Sequence, residues 1–250
     1  MGRVLITGCS TGIGRATAIE LTKRGHDVVA TARKPETLDD LDVTMRLPLD
    51  VDDDRSVGEA VAAAGELDVL VNNAGFGVSG PVERVPIPEV KRMLETNYFG
   101  ALRMIQAIVP QMRARGAGAV VNISSVQGRV AGPLSGFYSA TKFALEATTE
   151  ALGYELGHFG IRVVLIEPGY IMTRFQGREG HYGIEAPYDE LERQWESARD
   201  VLVSGASGTP ELVAAAVADA IEADNPPLRV PVGSDADMVL RTRAALDDAP

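Results

Sequence analysis

The sequence predicts an α/β fold: a doubly wound parallel sheet of about seven strands, with helices on both faces, in a single domain. Apolar, β-branched runs alternate with amphipathic segments along most of the chain. This alternation indicates repeated β–α–β units, in which buried strands share one parallel sheet. A length of 250 residues suits one domain of this kind, which we assign to residues 1–250.

Seven segments have the composition of buried strands: residues 4–7, 27–31, 44–49, 68–72, 119–124, 161–167 and 228–232. Five segments between them carry the alanine, leucine and charged residues of helices packed on a sheet: 13–24, 55–64, 87–115, 139–157 and 210–223. Residues 170–206 break this rhythm. They suit either a surface excursion or a substrate lid, and we expect a lid.

Composition excludes several classes of function. The net charge of −11 argues against nucleic-acid binding, which needs clustered lysine and arginine. We expect neither a signal peptide nor a membrane segment, because the first strand begins at once and no apolar run approaches the ~18 residues of a span. One cysteine and three scattered histidines predict no disulfide and no metal site. These features favour a cytoplasmic enzyme.

A glycine-rich turn follows the first strand. The run TGCSTGIG at residues 7–14 leads from an apolar segment into a helical one. Such a turn lets backbone N–H groups approach a pyrophosphate at a helix N-terminus. The spacing G-x-x-x-G-x-G differs from the usual G-x-G-x-x-G, and the alternative is a flexible turn. The predicted cofactor residues here are Gly8, Ser10, Thr11, Gly12, Ile13 and Gly14.

The end of the second strand predicts which nicotinamide cofactor is bound. NAD sites usually place an acidic residue there, whereas this chain has Ala32, Arg33 and Lys34. With no carboxylate to repel a 2′-phosphate and a guanidinium to bind it, we predict NADP(H) through Arg33. The alternative is a pair of solvated loop charges. Asp27 begins this strand and should lie at the opposite edge of the sheet.

The third strand ends at Asp50 and Val51, which we also assign to the cofactor site. The Asp50 carboxylate is placed to accept a hydrogen bond from the adenine amino group. A turn cap is the structural alternative for this residue.

Tyr138 and Lys142 are four residues apart at the start of a helical segment and therefore share one helix face. A nearby ammonium favours the phenolate, so we expect the pKa of Tyr138 to lie below its usual value near 10. Tyr138 is thus the candidate general acid/base. Ser125 ends a strand thirteen residues earlier and is placed to hydrogen-bond a substrate oxygen, with Ser124 as its rival.

Together these motifs resemble the short-chain dehydrogenase/reductase family. They comprise the glycine turn, Asn72-Asn73-Ala74-Gly75, Ser125, Tyr138-x-x-x-Lys142 and Pro168-Gly169, in order across most of the chain. The resemblance implies a Rossmann-type fold and hydride transfer between a nicotinamide and a carbonyl or alcohol. The family's catalytic Ser, Tyr and Lys fall on Ser125, Tyr138 and Lys142.

The resemblance implies further roles. Asn97 corresponds to the family's helix asparagine, which holds a backbone carbonyl and a water in a proton relay toward the lysine. Tyr138 and Lys142 also belong to the cofactor site, where the lysine binds the nicotinamide ribose. The remaining implied residues line the cofactor path (Asn73, Ala74 and Gly75) or hold the carboxamide side (Pro168, Gly169, Ile171 and Thr173).

The sequence around Tyr138 and Pro168 is similar to that of the hydroxysteroid and retinol dehydrogenases of the family. This similarity favours an apolar carbonyl or alcohol substrate. The predicted pocket residues are Gln127, Phe137, Tyr170, Phe175 and Trp195. By resemblance, the helices at 87–115 and 139–157 form a homodimer or homotetramer interface. Two other functions stay open: an NADP(H)-binding redox-sensing regulator without turnover, and an epimerase or dehydratase that retains its cofactor.

Overall fold

One parallel sheet organises the computed structural model, which describes residues 2–171, 181–183, 185–203 and 208–246. Its strands are β1 Arg3–Ile6, β2 Asp27–Ala32, β3 Met45–Pro48, β4 Val69–Asn72, β5 Gly118–Ile123, β6 Ile161–Pro168 and β7 Arg229–Val232. The strand order is β3-β2-β1-β4-β5-β6-β7, and every pairing is parallel. The predicted fold class is therefore confirmed.

Eight α-helices lie within the described residues: α1 Gly12–Lys23, α2 Asp54–Ala64, α3 Ile87–Leu94, α4 Gly100–Arg115, α5 Gly136–Gly157, α6 Asp189–Val203, α7 Pro210–Glu222 and α8 Ser234–Ala245. The predicted helix at 87–115 is helical throughout these residues, with a π-helical turn at Glu95–Phe99 between α3 and α4. The sequence did not predict α6 or α8. Both are rich in charged residues, so neither shows a wide apolar face.

Residues of the central strands point alternately to two cores. Val4 and Ile6 lie in the cluster that includes Val217 of α7, whereas Leu5 between them lies in the cluster that includes Ile108 of α4. Helices cover both faces of the sheet, which explains why its strands are continuous apolar runs rather than alternating ones.

All strands are parallel, but the direction in which successive strands are added to the sheet reverses at β1. β2 and β3 lie on one side of this strand, and β4 to β7 lie on the other. Crossovers that leave in opposite directions open a crevice at the carboxyl ends of β1 and β4, where ligands of doubly wound sheets bind. The glycine turn begins at that point.

Candidate active site

The turn between β1 and α1 needs glycine at its tight positions. Gly8 and Gly12 have φ angles of +74° and +61°, in the left-handed region that side chains disfavour. Gly14 is excluded from substitution by space: a Cβ atom there would lie 2.3 Å from Asn73 Nδ2 and 2.5 Å from the Gly8 carbonyl oxygen. The three glycines therefore keep the backbone of this turn compact.

The N-terminus of α1 is left uncapped by the protein. Thr11 makes no side-chain capping hydrogen bond there, and the first turn carries no acidic residue. By contrast, Asp53 caps α2 and Thr209 caps α7. Uncapped N–H groups at the positive end of a helix dipole bind anions. This cradle therefore fits the diphosphate of a dinucleotide.

Neighbouring side chains brace the cradle. Thr7 Oγ1 accepts hydrogen bonds from the backbone N–H groups of Asn73 and Ala74, each at 2.9 Å. Asn73 Nδ2 donates to the carbonyl oxygens of Thr7 and Gly8 at 2.8 and 3.1 Å. The Asn73 side chain thus holds the glycine turn, and the segment it begins runs past the cradle to Gly75. Thr7 was not among the predicted site residues, although it directly precedes the first glycine.

Arg33 lies directly beyond β2 and is exposed. It makes no ion pair with any residue that the structure describes, whereas Arg15 nearby pairs with Asp40. The Cys9 N–H donates to the Thr31 carbonyl oxygen at 2.8 Å and ties the glycine turn to the end of this strand. Asp27 lies at the opposite edge of the sheet, as expected, where it pairs with Arg3 at 2.6 Å.

Asp50 and Val51 follow β3. Asp50 Oδ1 accepts a hydrogen bond from the Asp52 N–H at 3.1 Å, so the carboxylate does cap a turn. Val51 is buried against Gly100 at the start of α4, where a Cβ atom would lie 2.7 Å from Val51 Cγ2. The adenine contact of Asp50 stays a prediction, and turn capping by one oxygen is compatible with it.

Ser125, Tyr138 and Lys142 are brought together beyond β5. Ser125 leads into a 3₁₀ turn, Val126–Gly128, while Tyr138 lies in the first turn of α5. The Ser125 hydroxyl and the Tyr138 phenol are hydrogen-bonded. Lys142 Nζ donates to the Ile123 carbonyl oxygen at 2.8 Å and lies 5.8 Å from the centroid of the Tyr138 ring. The rival, Ser124, is buried, and its hydroxyl oxygen has no hydrogen-bond partner among the residues that the structure describes.

The expected direction of the Tyr138 pKa is wrong for the protein without ligand. Burial raises the pKa of Tyr138 to about 12, and the hydrogen bond with Ser125 only partly offsets this. Burial also lowers the pKa of Lys142 to about 8, against the raising effect of Glu146. Desolvation therefore outweighs the attraction between ammonium and phenolate that the spacing suggested.

Asn97 lies in the π-helical turn and is buried. Its Nδ2 donates to the Phe76 carbonyl oxygen at 2.8 Å, and its Oδ1 accepts from the Phe76 N–H at 2.9 Å. Asn97 lines one small cavity together with Ile123 and Lys142. Asn97 thus holds the Phe76 backbone and lines a cavity with the lysine, while its role in a proton relay stays a prediction. Gly75 allows this approach, because a Cβ there would lie 3.1 Å from Asn97 Oδ1.

Pro168 and Gly169 end β6 beside Ser125, whose Oγ lies 3.5 Å from the Pro168 carbonyl oxygen. Ile171 is buried in the core, and Thr173 lies outside the described residues. Sequence reasoning missed Asp235, a buried residue of α8 that accepts a hydrogen bond from the Tyr170 N–H at 2.5 Å. Its only signal was a polar residue shortly after Gly233, since α8 itself was not predicted.

Tyr138 also packs against a small apolar cluster. Phe76, Phe137, Tyr138 and Tyr182 pack against a buried core of Val78, Val85 and Met93. Of the predicted pocket residues, Phe137 belongs to this cluster, and Gln127 accepts a hydrogen bond from Ser139 Oγ at 3.0 Å. Trp195 on α6 packs over Gly132, where a Cβ would lie 3.0 Å from Trp195 Cζ2. Tyr170 is half-buried, and Phe175 lies outside the described residues.

A braced phosphate cradle at the switch point of a parallel sheet defines a nucleotide-binding α/β protein. The family model for short chain dehydrogenases matches residues 3–181. The chain therefore belongs to the short-chain dehydrogenase family, as the motifs indicated. It is an oxidoreductase by this membership.

Two relatives place it within the family. It is 36% identical to 3-ketodihydrosphingosine reductase of Bacteroides thetaiotaomicron, over 92% of this chain and 87% of the relative. It is 42% identical to human retinol dehydrogenase 8 over 70% of this chain, which corresponds to 60% of that protein. The expected similarity to the retinol dehydrogenase side of the family is confirmed.

Solved structures agree on the fold. A short-chain dehydrogenase from Streptomyces avermitilis is 37% identical, with a TM-score of 0.87 over 97% of this chain and 92% of that one. A Burkholderia cenocepacia short chain dehydrogenase in complex with NADP is 27% identical, with a TM-score of 0.81 over 98% and 93% of the two chains. A Brucella melitensis 3-ketoacyl-(acyl-carrier-protein) reductase complexed with NADH is 26% identical, with a TM-score of 0.78 over 92% and 95%. A nicotinamide cofactor, NAD or NADP, is therefore supported.

Among the described helices, none has the length and apolar character needed to cross a membrane.

Proposed function

We propose that the protein is an NADP(H)-dependent oxidoreductase that reduces apolar ketones or aldehydes, with Tyr138 as the general acid. The observation that carries this proposal is the hydrogen-bonded pair of Ser125 and Tyr138, with Lys142 one helical turn on, at the same sheet edge as the phosphate cradle. A redox sensor without turnover needs a nucleotide site but none of these three side chains. No observation favours it or a retained-cofactor epimerase.

The cofactor is held along the carboxyl edge of the sheet in this proposal. The glycine turn and the first turn of α1 bind the diphosphate, and Asp50 with Val51 faces the adenine. The resemblance assigns the carboxamide side to Pro168, Gly169, Ile171 and Thr173, of which Thr173 lies outside the described residues. When bound, NADPH supplies the hydride for the carbonyl carbon.

Ser125 and Tyr138 act on the carbonyl oxygen. The Ser125 hydroxyl donates a hydrogen bond that orients the oxygen, and Tyr138 gives its phenolic proton as negative charge develops there. A pKa of about 12 keeps Tyr138 protonated at neutral pH, so it is ready to act as an acid in the direction of reduction.

Lys142 and Asn97 restore that proton. At pH 7 the Lys142 ammonium is largely charged, since its pKa is about 8, and it stabilises the Tyr138 phenolate. Asn97 and Lys142 line the same small cavity. In this proposal a proton passes through that cavity to Lys142 and from the lysine to Tyr138.

The protonation of Lys142 predicts how activity depends on pH. We expect kcat/KM for reduction to fall as the pH rises through about 8, because the neutral amine no longer stabilises the phenolate. Initial rates measured from pH 6 to 10 test this. A rate that stays constant between pH 7 and 10 would contradict the assigned role of Lys142.

Arg33 supports the choice of NADP(H) over NAD(H). It is exposed beyond β2, where Ala32 ends the strand and no carboxylate faces a 2′-phosphate. We expect Arg33→Ala to weaken NADPH binding by roughly tenfold and NADH binding far less, because an ionic hydrogen bond to the phosphate is lost and solvent moderates its strength. Fluorescence titration with both cofactors measures this. Arg55→Ala, which removes another exposed arginine, is the control, and equal losses for NADPH and NADH would refute the assignment.

The apolar cluster around Tyr138 supports an apolar substrate, as do relatives named as a 3-ketodihydrosphingosine reductase and a retinol dehydrogenase. The test follows NADPH absorbance with a series of aliphatic and aromatic ketones and aldehydes. We expect kcat/KM to rise about two- to fourfold per added methylene until the pocket is filled. NADPH binding with no turnover in either direction would instead favour the sensor.

A homodimer or homotetramer through α4 and α5 also stays a prediction. Phe143 and Tyr154 of α5 are exposed, at 44% and 73%, which is consistent with a covered face in an assembly.

A further inference from the structure

Two glutamates lie buried directly behind the candidate catalytic residues. Glu167 is the residue of β6 before Pro168, and its side chain is 0% exposed. Glu146 lies on α5 one turn after Lys142, and only 4% of it is exposed. Burying a carboxylate is costly unless hydrogen bonds and opposite charges compensate for lost water.

The compensation here is incomplete. Neither oxygen of Glu167 has a hydrogen-bond partner within the described structure, and the same holds for Glu146 Oε1. Arg229 Nε donates to Glu146 Oε2 at 2.9 Å and lies 3.5 Å from Glu167 Oε1. Arg129 Nη1 lies 3.5 Å from Glu167 Oε2. The two carboxyl groups thus flank one guanidinium nitrogen, and the guanidinium nitrogens nearest to the two Glu167 oxygens are each 3.5 Å away.

A nearby hydroxyl is also without a partner. Ser124 Oγ is buried next to Gly128, where a Cβ would lie 2.8 Å from that oxygen and 3.3 Å from Glu146 Oε1. The Ser124 hydroxyl is a possible hydrogen-bond donor close to Glu146 Oε1. One additional proton on the carboxyl groups supplies a second donor and removes one of two buried negative charges.

Charged or titratable groups face this pair from each element packed on it. On α5 these are Tyr138, Lys142 and Glu150; β7 contributes Arg229, and the segment after the 3₁₀ turn contributes Arg129. Asp235 of α8 lies beyond Gly169. Glu150 also pairs with Arg229, at 2.5 Å, so this arginine already has one carboxylate besides Glu146. Glu167 therefore shares Arg229 with two other carboxylates, and Arg129 is its second cationic neighbour.

We propose that Glu167 and Glu146 form a buried carboxyl pair in which Glu167 holds a proton, and that the pair acts as a positioning element for Lys142 by setting the negative charge behind its ammonium. Glu146 is one helical turn from Lys142, and its charge raises the pKa of the lysine. Burial and the charge of Glu146 raise the pKa of Glu167 to about 7, which agrees with a proton held by the pair. This inference rests on the proposed function only for the role of Lys142.

Infrared spectroscopy of the protein without substrate tests the proton on Glu167. A protonated carboxyl group has a C=O absorption distinct from that of a carboxylate, and it shifts in D₂O. We expect a buried carboxyl band in the wild type at pH 6 that disappears as the pH rises through about 7, and its absence in Glu167→Gln. In Glu146→Gln the loss should occur at lower pH, because the neighbouring charge is gone. Glu155→Gln, which removes an exposed carboxylate farther along α5, should keep the wild-type titration.

The pH profile of kcat/KM tests the effect on Lys142. Glu146→Gln and Glu167→Gln should move the fall expected near pH 8 to lower pH, because each removes negative charge behind the ammonium. Glu155→Gln should leave it in place. If the two glutamates have a merely structural role, the variants will lower kcat/KM without changing the pH at which it falls, and that result would overturn the proposal. A wild-type protein with no carboxyl band at pH 6 would also overturn it. A titrating band in a protein without reductase activity would overturn the proposed function, but it would still support the proton on Glu167.

Discussion

Tyr138→Phe is expected to abolish carbonyl reduction while leaving NADPH binding nearly intact. The variant loses only the phenolic O–H, and a positioned general acid accelerates a reaction by about 10²- to 10⁴-fold. The ring itself packs in the apolar cluster with Phe76 and Phe137, and phenylalanine preserves that packing. Rates measured with NADPH and the best apolar ketone, together with a fluorescence titration of NADPH, give both quantities.

Ser139→Ala is a suitable control for this experiment. Ser139 is the next residue of α5 and is buried, but its hydroxyl donates to Gln127 Oε1 rather than to the Tyr138 phenol. We expect it to lose far less activity than Tyr138→Phe. Activity of Tyr138→Phe within tenfold of the wild type would show that another group supplies the proton.

Gly14→Ala is expected to damage both the fold and the cofactor site. The added Cβ would lie 2.3 Å from Asn73 Nδ2, which braces the turn, and 2.5 Å from the Gly8 carbonyl oxygen. The neighbour at 2.5 Å is backbone, so relief requires the turn itself to shift. Overpacking of this kind lowers the free energy of unfolding by about 1–3 kcal/mol. NADPH affinity should fall with it, since the displaced turn carries the N–H groups of the cradle.

Gly58→Ala is the matched control, because it also adds one methyl group to a helical glycine. Gly58 lies in α2, and nothing lies within 4 Å of a Cβ built there. We expect its free energy of unfolding to rise by up to about 1 kcal/mol, since alanine favours helix. Urea unfolding of both variants, with NADPH titrations, makes the comparison. An unchanged NADPH affinity in Gly14→Ala would mean that this turn does not bind the diphosphate of the cofactor.

The strand positions and the main site were predictable because their signals are local. Val4, Leu5 and Ile6 form a continuous apolar run since helices cover both faces of the sheet, and the glycines after them are required by φ angles and close contacts. Arg33 was predictable as a residue at a strand end. These features depend on the chain within a few residues of each motif.

Other features depend on tertiary contacts and gave no sequence signal. The pKa of Tyr138 rises because the phenol is buried, which the spacing to Lys142 does not reveal. The π-helical turn at Asn97 depends on hydrogen bonds to the Phe76 backbone, 21 residues away. Glu167 looked like part of an ordinary strand end, and only the fold places it beside Glu146 and Arg229. Asp235 was missed because α8 has no wide apolar face to indicate it.

Transfer of deuterium from labelled NADPH is the most direct test of hydride transfer by this site. The protein would be incubated with NADPH carrying deuterium at C4 of the nicotinamide, separately for each face, and with the best apolar ketone. Mass spectrometry of the product alcohol then reports the label. The account predicts that deuterium from one face appears on the former carbonyl carbon with wild-type protein, and that Tyr138→Phe yields little product. NADPH that binds tightly but transfers no deuterium to any ketone or aldehyde in the series would contradict the proposed reductase.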